Sequence, residues 1–232
     1  MTTRIVASFL MAILGCSAGF CQATGGRTTT SQTERRGVVP PPPARVGTIR
    51  AQVQPASVRT PVTDAMPLFA GDDLSTGRGG RLQVTLDGGP TVSIGSESSF
   101  SVRTRDVERQ QWTVTMQFGH LRAQVPKLSR PESRFDVYTN TAYTWTRGAD
   151  YYMEVIAPFR SLVVNLSGQV QVVVLTAGNC RISEEPRCPE VVLNKGEAIE
   201  TGPDDRNRQP KSRPATADEL SGAEKETSLP KN

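Results

Sequence analysis

Residues 71–95, GDDLSTGRGGRLQVTLDGGPTVSIG, limit what this chain can fold into more than any other stretch. From Arg81 to Leu86 polar and apolar residues alternate, so Leu82, Val84 and Leu86 share one face of a strand. Asp87, Gly88 and Gly89 follow as a turn in which glycine supplies positive φ without Cβ strain. Thr91 to Ile94 then resumes the alternation, while Gly71 with Asp72 and Thr76 with Gly77 bracket a shorter run around Leu74. No helical period runs through the segment, which predicts a tightly wound β unit.

The same period of two recurs downstream. Val46 to Val53 and Ser99 to Arg103 read as strands. Gln111 to Phe118 sets Trp112, Val114, Met116 and Phe118 on one face, and Leu121, Ala123 and Val125 continue the pattern after Gly119. Arg134 to Tyr138 and Tyr151 to Val155 alternate in the same way. Residues 161–165 and 169–175 read as a hairpin around Ser167 and Gly168, and 190–193 with 198–200 close the body. Turn signals about every eight to twelve residues, with Val and Thr enriched, predict an all-β body of short antiparallel strands, twisted and solenoid-like or sandwich-like. That body is expected over residues 44–202, and helices are hard to find anywhere in the chain. Residues 24–43 are rich in Thr, Gly, Ser, Gln and Arg and end in Pro40, Pro41, Pro42 and Pro43, a linker with a short stiff polyproline end. A polyproline docking ligand is the alternative reading of those four prolines. Residues 203–232 are nearly devoid of aliphatics and are expected to be disordered.

Export is written at the N-terminus. Arg4 provides a positive start, and residues 5–14 form an uncharged apolar run too short to span a bilayer but suited to a secretory signal. Cys21, Gln22 and Ala23 make a small-x-small site, so residues 1–23 are expected to be a signal peptide cut after Ala23. Ile13, Leu14, Gly15 and Cys16 offer the alternative of a lipobox with Cys16 acylated, although Leu14 is bulky for that position. No second hydrophobic segment exists, so the mature chain is expected to lack a transmembrane span and to be periplasmic or secreted, or an outer-membrane lipoprotein. In an oxidising compartment Cys180 and Cys188, which flank seven residues, are expected to form a disulfide; free thiols are the alternative.

Composition and motifs narrow the function. Lys and Arg number 27 against 23 Asp and Glu, a net charge of +4 with no dense basic run, which argues against nucleic-acid binding. A single histidine, His120, with no HExxH pattern and no phosphate-cradling glycine loop before a helix, argues against an enzyme. Asp72, Asp73, Asp87 and Asp150 could supply a glycosidase pair, but each stands in a turn that already explains it. No catalytic residue, cofactor or metal site is expected. Asp72 and Asp73 with the Asp87 turn lack the dense oxygen spacing of a calcium loop.

In order along the body, these motifs resemble the FecR-type domain family of bacterial extracytoplasmic β-domains. Residues 71–95 look like its GD-x-hydrophobic-x-TG, strand, DG turn and strand. Gly119 to Ala123 is similar to its G-x-hydrophobic strand start, and Phe135 to Ala142 to its F-x-V-x-T element. Arg147, Gly148, Ala149, Asp150 and Tyr151 resemble its RGT-D-F, with alanine for threonine and tyrosine for phenylalanine. Ser167 to Val172 and the later Lys195, Gly196 and Glu197 complete the set. Physical chemistry reads Gly71, Gly77, Gly88, Gly119, Gly148, Gly168 and Gly196 as positive-φ or close-approach positions at strand ends. Asp72 and Asp87 are expected to accept turn amides, and Arg147 to pair with Asp150 across their turn.

What the resemblance implies is an extracytoplasmic sensing or scaffolding domain. Signalling members of the family relay a receptor's state to a sigma factor through a cytoplasmic segment and a transmembrane helix, and this sequence is expected to have neither. Its expected function is non-enzymatic binding of an envelope protein or polysaccharide. The alternatives are an accessory subunit of a cell-surface signalling system or, third, an envelope glycan hydrolase. Tyr138, Tyr143, Trp145, Tyr151 and Tyr152 form a cluster in sequence, half of it expected in the core. Trp145, in a polar Thr-rich setting, is the best candidate for partner contact, with Tyr143 beside it.

Overall fold

The structure, a computed structural model, describes residues 45–229 except 54–55, 59, 62–64, 107, 157–158, 177–179, 181–187 and 204–209. The expected signal peptide 1–23 with Cys16, and the linker 24–43, lie outside the described residues. Strands follow one another from β1 (Arg45–Val53), β2 (Ala56–Val58), β3 (Thr60–Pro61) and β4 (Pro67–Phe69) to β5 (Asp73–Thr76), β6 (Arg81–Leu86) and β7 (Thr91–Ile94). Next come β8 (Ser98–Asp106), β9 (Gln111–Val125), β10 (Arg134–Tyr138), β11 (Ala142–Thr146) and β12 (Ala149–Ile156). The chain ends with β13 (Arg160–Gly168), β14 (Val170–Val174), β15 (Glu190–Leu193), β16 (Glu197–Thr201), β17 (Arg213–Pro214) and a helix, α1 (Ala217–Thr227). The fold is all-β, as the periodicity predicts.

These strands make two sheets that share β9. One runs β4–β1–β6–β7–β9–β12–β13–β16–β17. The other runs β3–β2–β5–β8–β9–β10–β11–β14–β15. Among the described residues every pairing is antiparallel except β9 with β10. The first half of β9 pairs β8 and β10, the second half pairs β7 and β12, and the bend between them falls at Gly119. Gly119 has φ +97°, and a Cβ there would lie 2.5 Å from Ser98 Cα, so only glycine fits this corner. Strands that change sheets at a bend are how sandwiches of crossed sheets make their corners. The bend also turns Phe118 out of the face expected for it, leaving it 43% exposed.

One hydrophobic cluster fills the space between the sheets. Leu82, Val84, Leu121 and Met153 from the first sheet meet Phe100, Trp112, Phe135 and Val172 from the second, all buried. Strand alternation accounts for this directly, since β6 reads half-buried then buried along its whole length. The expected hairpin of β13 and β14 does not form. β13 pairs β12 and β16, while β14 pairs β11 and β15, so the chain leaves one sheet for the other at Gly168. Local alternation marks both strands, but nothing local says which sheet each joins.

The expected disordered tail is corrected over 213–227. Thr216 caps α1 in a capping box: its hydroxyl accepts from Glu219 N, and the Glu219 carboxylate accepts from Thr216 N at 2.8 Å. Arg213 donates to both Glu219 oxygens. The helix lays Ala223 on Tyr152, Val164 and Ala198, a second cluster on the outer face of the first sheet. Ala223 and Thr227 are the buried residues of the helix, and Arg81 of β6 adds an ion pair to Glu226 at 3.5 Å, so few aliphatics are needed to hold it there. Among the described residues no helix is long and apolar enough to cross a membrane.

Candidate functional site

Three crossovers between the sheets stack at one end of the sandwich. They follow β9, β11 and β13, and hydrogen bonds lock them together. Leu128 N donates to Arg147 O at 2.8 Å, and the Thr146 hydroxyl donates to Gln169 O at 2.7 Å while accepting from Gly148 N at 3.1 Å. Gly168, at φ +77°, lies so close to the crossover before it that a Cβ would fall on the Gly148 carbonyl oxygen and 2.9 Å from Ala149 Cα. Behind it Asn165, fully buried, donates from Nδ2 to Gly168 O and to Leu193 O, each at 2.9 Å. The crossovers are therefore held from within by buried polar bonds, and their outer side chains project from a fixed frame.

Those side chains line a solvent-open groove of about 1290 Å³. Trp145 forms part of its wall, half-buried, on β11 directly opposite Gln171 of β14. Gln169 bonds Asn194 Oδ1 at 3.1 Å on the same side. Lys127 and Arg147, both exposed, rise from adjacent crossovers. Asp150 and Gln124 lie where the groove meets the first sheet. The Asp150 carboxylate accepts from Arg122 Nε and Nη2, both at 2.8 Å, and this bidentate bond holds the Arg122 guanidinium above its ordinary pKa.

The expected Arg147–Asp150 pair does not form. Asp150 shares the outer face of the first sheet with Arg122, whereas Arg147 precedes the strand and donates to Arg130 O at 2.9 Å. Gly77 is not among the glycines with positive φ; its carbonyl accepts from Gly80 N at 2.9 Å. Asp72 accepts from Phe69 N at 2.9 Å, while the Asp87 carboxylate faces Arg105 at 3.4 Å instead of a turn amide. Asp72, Asp87 and Asp150 thus have separate partners, Phe69 N, Arg105 and Arg122. Gly71 and Gly88 take positive φ at their turns. Cys180 and Cys188 are disulfide-bonded, closing the end of the β14–β15 hairpin.

The aromatic cluster divides between core and surface. Tyr151 is fully buried with its hydroxyl 3.3 Å from Thr144 Oγ1, and Tyr152 faces α1 with its hydroxyl 2.7 Å from His120 Nδ1. Tyr143 is half-buried, stacked on Tyr138 with ring centroids 4.4 Å apart, and donates to Asp136 Oδ1 at 3.0 Å. Burial pushes both the Asp136 carboxyl and the Tyr143 phenol upward, and the Asp136 charge raises Tyr143 further. Tyr143 is outside the groove lining, so the structure brings Trp145 to the groove without Tyr143. Sequence reasoning did not single out Lys127, Gln124, Gln169, Gln171 or Asn194. Spread over some seventy residues and each read as the solvent side of an alternating strand or a loop, they carry no local signal.

Residues 72–178 match the family model described as FecR protein. No curated protein matches the chain. Two crystal structures of a candidate anti-sigma factor from Parabacteroides distasonis are similar, each 19% identical with a TM-score of 0.48, covering 64% of this chain. The matched region spans 62% of that protein's length.

Proposed function

From the premise that residues 72–178 are a FecR-type domain, we propose that this chain is a non-enzymatic binding or sensor module of the bacterial envelope. Its end groove holds a protein or polysaccharide partner, with Trp145 as the central contact. The single observation that carries the reading is the groove itself: a half-buried indole among polar side chains, on crossovers fixed by buried hydrogen bonds. An aromatic body with a polar tip in a preformed cleft is how many recognition sites gain area at low entropic cost. The Cys180–Cys188 disulfide supports an oxidising compartment. Occupancy of the groove would be the sensed state, relayed by whatever assembly holds the domain.

The test is capture from a cell-envelope extract with Trp145→Ala beside the parent chain. The reading expects the variant to lose a partner while keeping its far-ultraviolet circular dichroism and unfolding midpoint. Equal capture by a folded variant, or recovery of only abundant non-specific species by both, overturns it.

A further inference from the structure

Resting on the binding reading above, we propose that the groove takes a saccharide bearing carboxylates. A sugar ring lies on Trp145, and its acid group is held between Lys127 and Arg147.

The apolar surface on offer is shaped for a ring. Val125 and Leu128 border the groove but are each only 6% exposed, so their side chains belong to the core. What remains of the larger apolar lining is the half-buried indole of Trp145, with exposed Pro126 on the same groove. A pyranose presents a flat C–H face and a polar rim, which matches an aromatic plane edged by hydrogen-bonding groups.

The edge of the groove supplies those groups. The Gln171 amide, across the ladder from Trp145, has no partner among the described residues, nor does the Trp145 indole N–H or the Ser167 hydroxyl. Gln169 and Asn194, joined at 3.1 Å, add a second amide cluster. Side-chain amides and hydroxyls both donate and accept, as sugar hydroxyls do. A peptide held by strand addition or by an apolar groove would leave these amides and hydroxyls without a role.

Charge decides which saccharide. Both Asp150 oxygens are engaged by Arg122 at 2.8 Å, so that carboxylate adds little negative field. Glu197, beside groove-lining Asn194, accepts from Asn194 N at 2.7 Å and Asn194 Nδ2 at 3.2 Å. Lys127 has no acidic partner among the described residues, and Arg147 uses one N–H on Arg130 O and leaves its others available. The 2.8 Å bond from Leu128 N to Arg147 O ties their two crossovers together and keeps the two cations on one rim. Two cations beside a neutral ring-binding surface select a sugar acid over a neutral sugar.

The experiment is isothermal titration calorimetry of the full chain with short oligomers of galacturonate, glucuronate and mannuronate, each as free acid and as methyl ester. The proposal expects at least one acid to bind and its ester to bind about tenfold or more weakly. It also expects added salt to weaken the acid alone. Lys127→Gln with Arg147→Gln, two exposed positions, should bring the acid down to the affinity of the ester. Acid and ester binding alike, or an acid preference that survives the double substitution, overturns the proposal. If no oligomer binds, the saccharide inference falls. The broader binding reading then survives only if Trp145→Ala still loses its envelope partner, which separates the two failures.

Discussion

Gly168 and Gly196 provide a matched pair that isolates the close packing of the groove's crossovers. Their φ values are +77° and +80°, so alanine at either suffers the same left-handed strain, roughly 1–2 kcal/mol. Each substitution also lowers the entropy of the unfolded chain equally, a contribution that cancels between them. Their surroundings differ. A Cβ at Gly196 meets nothing within 4 Å, whereas at Gly168 it meets the Gly148 carbonyl and lies 2.9 Å from Ala149 Cα. Both neighbours are backbone and cannot rotate away, so overpacking adds about 1–3 kcal/mol at Gly168 alone. Gly196→Ala should therefore cost about 1–2 kcal/mol and Gly168→Ala about 2–5 kcal/mol in total. Urea unfolding followed by tryptophan fluorescence measures both, with Trp112 reporting the core and Trp145 the groove. Equal losses for the two variants would refute the close approach of the crossovers, and with it the rigid frame on which the site rests.

Three further outcomes test other parts of the molecule. Arg213 holds the Glu219 carboxyl down from 4.5 to about 2, so its stabilisation is complete above pH 4.5 and lost as pH falls toward 2. Urea titrations across that window should show a pH-dependent loss that Glu219→Gln flattens, and an unchanged profile would contradict the ion pair. Replacing Cys180 and Cys188 with serine, which opens a loop of sequence separation 8, should cost about 2–3 kcal/mol. Hydrogen exchange should then quicken along Glu190–Leu193, and unchanged protection there would show that β15 does not depend on the bridge. Ala223→Glu puts a charge at a fully buried contact with Tyr152, Val164 and Ala198, and α1 should undock at a cost of about 2–4 kcal/mol. Retained protection of the α1 amides would disprove that anchor.

Much of the β framework is legible before any coordinates. Arg81–Leu86, Thr91–Ile94 and Arg134–Tyr138 fall on strands with the predicted bounds, because half-buried strands must alternate and their turns need particular residues. α1 was missed, because it carries no apolar stripe and its one local signal, the capping box of Thr216 and Glu219, lies in a tail poor in aliphatics that reads as disordered. The groove was not legible either. Trp145 stood out in the sequence, yet Lys127, Gln171 and Asn194 reach it only because β11 pairs β14 and the crossovers stack.

The division follows from the range of the forces. Alternation, turn chemistry and cysteine spacing act within a few residues, so the sequence by itself determined an all-β chain, its strand positions and a local disulfide. Which strands become neighbours depends on closing long loops and burying one shared core, a property of the whole chain. Only tertiary structure could send β13 and β14 into different sheets and bend β9 at Gly119 to serve both. It also gave Asp150 to Arg122 in place of Arg147. The groove is a product of those long-range choices, built from residues whose roles are set by their neighbours in space.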